Sequence, residues 1–136
     1  MFKIKVEADF SAAHNLRGYK GKCEELHGHN WKVELEAASA KLDKIGMVAD
    51  FRVIKNELNK VLEQMDHKYL NKIAYFRKVN PTSENIAEYI YNKLKAKVVN
   101  ISSVTVWESD TSSAAYYVKE NPQGFYLTPK SEATSG

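Results

Sequence analysis

Cysteine is almost absent from this chain of 136 residues, in which Cys23 stands alone. A lone cysteine cannot close a disulfide within the chain, and this excludes the class of small secreted domains that disulfides hold together. In a reducing compartment Cys23 is therefore expected to be a free thiol, a metal ligand, or a nucleophile or base.

Long apolar runs and clusters of one charge are also missing. The first residues, MFKIKVEADFSAAH, alternate polar and apolar side chains, so we expect neither a signal peptide nor a transmembrane span, and we place the protein in the cytoplasm. The net charge is +3 and the pI is about 8.8, without the Lys/Arg runs of a nucleic-acid binder. We expect no nucleic-acid or membrane partner, and the mild positive charge suits a small anionic ligand.

Two stretches of the chain alternate with a period of two, which predicts half-buried strands. In the first, apolar residues recur from Phe2 to Ala12 between charged ones, and His14 falls on the apolar side. In the second, apolar residues recur from Trp31 to Ala37, and His29 shares their face. The residues between the two stretches contain glycines and mixed charges and predict a loop.

The period changes to three and four residues after Asp50, which predicts an amphipathic helix capped by Asp50 and ending near Asp66 and His67. A second helix is predicted to begin at PTSEN, where Thr82 or Ser83 can cap it and the proline keeps the preceding residue out of helix.

Two further strands are predicted, at residues 101–108 and 114–118. The order strand, strand, helix, helix, strand, strand predicts an α+β fold, with a four-stranded antiparallel sheet that carries both helices on one face. We expect the other face to be covered by an oligomer or to expose apolar surface. The chain has no repeats and fits one domain, residues 1–120, followed by a partly disordered tail, residues 121–136.

His27 and His29 flank Gly28 at the start of the second predicted strand. Residues i and i+2 of a strand face one side with Cα atoms roughly 6.5 Å apart, so both imidazoles can converge on one ion. His14 can add a third nitrogen, and three neutral imidazoles leave zinc an open, catalytic-type coordination position. A single histidine on an apolar face is more often a hydrogen-bonded core residue. Cys23 as a fourth ligand would instead make the site structural.

Cys23 has a physical rationale as an acid or base, because a nearby zinc ion or protonated imidazole lowers the pKa of a thiol. Asp66 could orient His67 as that neighbour, although an Asp-His pair at a helix end is also a common capping and surface pair. Glu108 continues the apolar side of the third predicted strand. It is either a solvated strand-end residue or an anchor for a ligand with paired N–H donors.

Six segments together resemble the 6-pyruvoyltetrahydropterin synthase family, in particular its bacterial 6-carboxytetrahydropterin synthase branch. They are FSAAH (10–14), CEELHGH (23–29), GMVADF (46–51), LEQMDHKYLN (62–71), NPTSENIAEYI (80–90) and VTVWES (104–109). The resemblance extends to about Val118. It implies the tunnelling fold, in which trimers of ββααββ subunits close a twelve-stranded barrel and two trimers stack into a homohexamer.

The resemblance also implies roles for residues that match the family's motifs. Those that would bind zinc are His14, His27 and His29. Those that would transfer protons are Cys23, with Asp66 and His67 as the relay that activates it. Those that would hold the pterin ring are Thr82, Ser83 and Glu108.

The implied substrate is 7,8-dihydroneopterin triphosphate. The carboxy branch is a zinc-dependent lyase that releases acetaldehyde and triphosphate and supplies queuosine synthesis, whereas the pyruvoyl branch keeps and rearranges the side chain. Glu24 lies beside Cys23, and a third group of the family uses a glutamate there to make 6-hydroxymethyldihydropterin for folate, although Glu24 could also be a solvated loop residue. A non-catalytic oligomer that binds metal or pterin is the alternative from another functional class.

Overall fold

The computed structural model describes residues 1–19, 21, 25–120 and 126–127. Cys23, Glu24 and the predicted tail, apart from residues 126–127, lie outside these ranges. The elements in chain order are β1 (Phe2–His14), β2 (His27–Ser39), α1 (Phe51–Glu63), β3 (Lys68–Tyr69), α2 (Ser83–Leu94), β4 (Ile101–Ser109), β5 (Ser112–Tyr117), β6 (Lys119–Glu120) and β7 (Tyr126–Leu127). Two short 3₁₀ turns, Leu70–Lys72 and Ala74–Arg77, join β3 to α2.

The main sheet has five strands in the order β3-β1-β2-β4-β5. β1 and β2 form a long antiparallel pair, in register from Phe2 opposite Ser39 to His14 opposite His27. The sequence predicted four strands in this sheet, and β3 is the fifth. It pairs in parallel with residues 12–13 of β1. Two residues are too few to show a period of two, which is why sequence periodicity predicted four strands.

Both helices begin at the capping residues that the sequence predicted. Asp50 accepts a hydrogen bond from the backbone N–H of Arg52 (2.8 Å) at the start of α1, and Thr82 accepts one from Asn85 (3.1 Å) at the start of α2. α1 ends at Glu63, a few residues before the predicted end. Among the described residues, no helix is both long and apolar enough to cross a membrane.

The hydrophobic core lies between one face of the sheet and the two helices. The alternating apolar residues of β1 from Ile4 to Ala12 and of β2 from Trp31 to Leu35 pack in it, as the alternation predicted, whereas Phe2 is half exposed. The residues that recur every three or four positions in the helices meet them. The fully buried members include Trp31, Val33, Leu35, Leu58, Ile86, Ile90, Leu94, Val104 and Val106. This core fixes which side of β1 and β2 faces inward, and therefore fixes the direction of the histidines at their ends.

The opposite face of the sheet is polar and charged. Its ion pairs among the described residues include Lys3–Glu36 (3.5 Å), Lys5–Glu34 (3.7 Å), Lys32–Glu7 (3.7 Å) and Lys32–Glu34 (3.7 Å). Trp107 lies on this face too, donating from Nε1 to Glu34 (3.0 Å) beneath the ammonium group of Lys32. We expected this face either to be covered by an oligomer or to expose apolar surface. In the single chain it is mostly polar, because the polar half of each strand's alternation forms it. One aromatic residue, Tyr117 of β5, lies opposite Ser103 on this face and is 65% exposed.

Candidate metal centre

Three histidines and one glutamate meet where β1 ends and β2 begins. His14 is the last residue of β1, and His27 and His29 are the first and third residues of β2. Glu108 reaches the same point from β4. One ligand atom from each of the four residues lies within 4.8 Å of the others, so the structure brings together three residues predicted as metal ligands and one predicted as a substrate anchor.

The nitrogen and oxygen atoms of this cluster are close together. His14 Nε2 lies 3.0 Å from His27 Nε2 and 3.3 Å from Glu108 Oε1, and His29 Nε2 lies 3.1 Å from the same oxygen. The side chain of His14 is only 1% exposed, whereas those of His29 and Glu108 are 24% and 36% exposed. The cluster therefore has one buried member and one side that solvent or a ligand can reach.

Backbone carbonyls fix the tautomers of two of these rings. His14 Nδ1 donates to the carbonyl of Pro81 (2.8 Å), and His27 Nδ1 donates to the carbonyl of Glu25 (2.7 Å). Because a carbonyl can only accept, the proton of each neutral ring is on Nδ1, and each Nε2 presents a lone pair. Two lone pairs therefore face each other across 3.0 Å, which is unfavourable unless a cation or a proton lies between them.

His29 also has a ring nitrogen that lacks a hydrogen-bonding partner. Its Nε2 is buried and has no hydrogen-bond partner, since its close contact with Glu108 lacks hydrogen-bond geometry. A buried polar atom without a partner costs about 1–3 kcal/mol, and such atoms in native structures commonly mark the position of an ion or water. The donor set of three imidazole nitrogens and a carboxylate oxygen fits a divalent metal ion, and these four residues could hold one.

The environment of the rings favours their neutral, metal-binding form. Burial is the main cause that lowers the pKa of His14, and the electrostatic interaction with the neighbouring His27 adds to it, while the Pro81 carbonyl and Glu108 oppose it. Burial also lowers the pKa of His29, against the opposing effect of Glu108. A neutral imidazole is the form that ligates metals, so both rings are ready to bind at neutral pH.

The metal-free protein is expected to lose stability as the pH falls below about 6.5, the ordinary pKa of histidine in an unfolded chain. His14 and His29 have lower pKa values in the fold, so below that pH the unfolded chain binds more protons and unfolding is favoured. Urea unfolding of EDTA-treated protein at about pH 7.5 and about pH 5.5 measures the loss. The His29→Gln variant should lose less stability between the two pH values. Equal stability of the wild type at both pH values would contradict the lowered pKa values of His14 and His29.

Trp31 forms the floor of the cluster, a role that the sequence did not reveal. Its ring meets His14 edge-on at 4.9 Å and His29 at 5.1 Å between centroids, and it is fully buried. The indole N–H donates to the carbonyl of Ala12 (3.2 Å), which fixes the ring. The available signal was its position two residues after His29 on the same face of β2.

Asp66 and His67 form the pair that was predicted as a relay. His67 Nδ1 lies 3.0 Å from Asp66 Oδ2, and the other carboxylate oxygen accepts from the backbone N–H of Ser11 (2.9 Å). That N–H holds the pKa of Asp66 below its usual value, with His67 adding to the effect. The pair does not cap α1, which ends at Glu63, but docks on β1 three residues before His14.

His67 adopts a positive φ of 58°, a left-handed conformation that is uncommon for a residue with a side chain. Its backbone N–H donates to the carbonyl of Ser11 (2.6 Å), and its side chain is 82% exposed. The conformation turns the chain from α1 into β3 and leaves the imidazole open to solvent, where it can exchange protons.

The N-terminus of α2 lies beside the cluster, because the carbonyl that orients His14 belongs to Pro81. Thr82 and Ser83, the predicted ring-binding pair, follow directly. The Thr82 hydroxyl already accepts a hydrogen bond as the helix cap, and its proton remains available to a ligand.

Comparison with known proteins decides the family. The sequence profile described as "6-pyruvoyl tetrahydropterin synthase" matches residues 3–119. The chain belongs to this family. The predicted resemblance is confirmed, and the protein is an enzyme of the tetrahydropterin synthase family. Enzymes of this family act on small pterin molecules and depend on a metal, which agrees with the histidine cluster.

Curated relatives carry the name of the predicted branch. The chain is 41% identical to "6-carboxy-5,6,7,8-tetrahydropterin synthase" of Synechocystis sp., over 86% of this chain and 94% of the relative. It is 39% identical to the protein of the same name from Haemophilus influenzae, over 85% of this chain and 99% of the relative. Among solved structures, 6-pyruvoyl tetrahydropterin synthase of Caenorhabditis elegans superposes with a TM-score of 0.79 at 30% identity, covering 87% and 96% of the two chains. The α+β fold of the family is thereby confirmed.

Proposed function

We propose that this tetrahydropterin synthase is a zinc-dependent lyase of the 6-carboxytetrahydropterin synthase type, acting in the cytoplasm on the route to queuosine. It converts 7,8-dihydroneopterin triphosphate and water to 6-carboxy-5,6,7,8-tetrahydropterin, acetaldehyde and triphosphate. The observation that carries the proposal is sequence identity: the chain is 39–41% identical, over most of both chains, to relatives named for this activity. The unsatisfied histidine nitrogens at the end of the β1–β2 pair support the metal part of the proposal.

The metal would be held by His14, His27 and His29, whose nitrogens converge with their lone pairs inward. Zinc is favoured because three neutral imidazoles match its catalytic ligation and no step of the reaction needs the metal to change oxidation state. Zinc bound there would act as a Lewis acid toward the hydroxyl groups of the substrate side chain. The Pro81 and Glu25 carbonyls keep two rings in the tautomer that this requires.

Cys23 and His67 are proposed to move protons between the substrate carbons and solvent. His67 is suited to this task because its ring is exposed and because Asp66 orients Nδ1. Ser11 in turn holds Asp66 through its backbone N–H, which lowers the pKa of the acid and keeps it ionised to orient the ring. General acid–base residues of this kind contribute typically 10²–10⁴-fold to a rate.

Glu108, Thr82 and Ser83 are proposed to hold the pterin ring. A carboxylate can accept both N–H groups from the guanidine-like edge of a pterin in a bidentate pair. Glu108 lies at the open side of the histidine cluster. A pterin ring held there would lie beside the metal, with the side chain of the substrate directed toward the metal.

The charged sheet face bears on assembly. We propose that three copies close a barrel with this face inward, as the family's tunnelling fold implies, and that two such trimers form a homohexamer. The lysines on this face suit a water-filled interior, since Lys3, Lys5 and Lys32 are 46–60% exposed and keep much of their hydration.

The product decides between the branches of the family. Purified protein with zinc, incubated with 7,8-dihydroneopterin triphosphate, is expected to yield 6-carboxytetrahydropterin and an equal amount of acetaldehyde, measured by mass spectrometry and an aldehyde assay. A pyruvoyl product without acetaldehyde, or the 6-hydroxymethyl product that Glu24 would permit, would overturn the carboxy assignment. No product would support the non-catalytic alternative.

Replacing Glu108 with glutamine is expected to lower kcat/KM by roughly 10- to 150-fold, the cost of losing a hydrogen bond to a charged group. The loss should appear mainly as a raised KM, with zinc content unchanged. Steady-state kinetics and metal analysis measure both, and Glu63→Gln at the exposed end of α1 is the control. Zinc loss from Glu108→Gln would instead identify Glu108 as a metal ligand.

A further inference from the structure

Two asparagine side chains continue the strand pairing of β1 beyond its last residue. Asn71 Oδ1 accepts from the backbone N–H of Asn15 (3.0 Å), and its Nδ2 donates to the carbonyl of Asn15 (2.9 Å). Asn80 does the same for Arg17, at 3.0 and 2.8 Å. A primary amide carries the donor and acceptor of a peptide group, so each side chain takes the place of a neighbouring strand residue.

These contacts complete a series along one edge of β1. Every second residue of a strand directs its N–H and C=O to the same edge. At this edge Ser11 pairs with residues 66–67, Ala13 lies opposite Tyr69 of β3, and Asn15 and Arg17 pair with the two asparagines. The backbone on both sides of His14 is therefore held, although β1 itself ends there.

The same asparagines connect to the ring of His14. Asn80 directly precedes Pro81, whose carbonyl accepts from His14 Nδ1. The carbonyl of Asn80 accepts from Asn85 Nδ2 (3.0 Å), which fixes it to the first turn of α2. Asn71 is 8% exposed and fixes the residue that follows His14. One asparagine amide thus holds the residue after His14, and the other belongs to the residue before the carbonyl that accepts the Nδ1 proton of His14.

We propose that Asn71 and Asn80 are positioning residues of the metal centre, which aim His14 Nε2 at His27 and His29. The inference rests on the proposed metal site and goes beyond it, because neither asparagine supplies a ligand atom to the cluster. Groups that hydrogen-bond a metal ligand typically contribute 10–100-fold in affinity, and the two asparagines act on the backbone next to His14 and next to its partner Pro81. An asparagine that merely stabilised the fold would leave the affinity of the folded protein unchanged.

The test measures Co²⁺ binding by the metal-free full-length protein, using the visible absorption of Co²⁺ to report its coordination geometry. Folded Asn80→Ala and Asn71→Ala are each expected to bind Co²⁺ roughly 10- to 100-fold more weakly than wild type, with an altered absorption band. Asn80→Asp keeps the acceptor for the Arg17 N–H but loses the donor, so an intermediate loss is expected. Asn59→Ala, at an exposed position of α1, is the control and should bind as wild type does.

Thermal unfolding of each metal-free variant separates positioning from stability. A lowered melting temperature with wild-type Co²⁺ affinity and spectrum would overturn the inference while leaving the proposed metal site intact. Should the alanine variants not fold, Asn80→Asp and Asn71→Asp decide by the same comparison. If the wild type itself does not bind Co²⁺ or Zn²⁺, the proposed metal site fails, and the inference fails with it.

Discussion

Replacing His29 with alanine is expected to abolish metal binding and turnover while the protein remains folded. The substitution removes one of three imidazole nitrogens, and its effect should exceed the 10–100-fold cost of losing an outer-shell partner. The fold should tolerate it, because the side chain is 24% exposed and its Nε2 makes no hydrogen bond. Metal content after dialysis, the rate of product formation and circular dichroism together check the prediction.

Asn30→Ala is the matched control for this substitution. Asn30 is the next residue of β2, exposed on the opposite face, where it accepts a hydrogen bond from Ser11. The control should keep its metal and its rate. Stoichiometric zinc in His29→Ala with wild-type turnover would show that the imidazole of His29 is not a ligand.

Replacing Cys23 with alanine is expected to lower kcat by about 10²–10⁴-fold, the usual contribution of a general acid or base, with zinc retained in full. The reason is chemical, since the proposed function has Cys23 take a proton from carbon, and a cation near a thiol would favour the thiolate that does so. Single-turnover kinetics and metal analysis on the same preparation measure the two effects separately.

Glu24→Ala is the natural partner of that experiment, because it changes the adjacent residue. It should keep both the rate and the carboxy product if Glu24 is a solvated loop residue. Release of zinc from Cys23→Ala, together with a loss of stability, would instead make Cys23 a structural ligand. Unchanged turnover in Cys23→Ala alongside impaired turnover in Glu24→Ala would move the proton-transferring role to the glutamate.

The secondary structure was predictable wherever a pattern repeats over many residues. Both long strands and both helices followed from alternation and from three-and-four spacing. The cap of α1 was predicted as Asp50, and that of α2 as Thr82 or Ser83, of which the structure uses Thr82. His14, His27 and His29 could be assigned to one face because that face is set by the apolar residues beside them. At these positions the spacing of apolar residues in the sequence matches the tertiary structure, because the residues that recur with that spacing are the ones that the core buries.

The contacts that orient the site were not predictable in the same way. The Pro81 carbonyl that fixes His14 lies 67 residues further along the chain, and a backbone carbonyl has no sequence signature. The approach of Glu108 to the histidines depends on the register between β2 and β4, which residue types alone do not define. β3 and the asparagine contacts also join distant segments through one or two residues each.

The β1–β2 register has a consequence for how the chain acquires its native pairing. His14 lies opposite His27, and Ala12 lies opposite His29, so in this alignment all three rings share a face and lie at the same end of the strand pair. A shift of one strand by a single residue would turn His14 away from the other two rings and split the ligand set. A metal ion that needs all three nitrogens therefore binds only the correctly paired hairpin and stabilises it by mass action. The cofactor would thus also select against misaligned chains during folding.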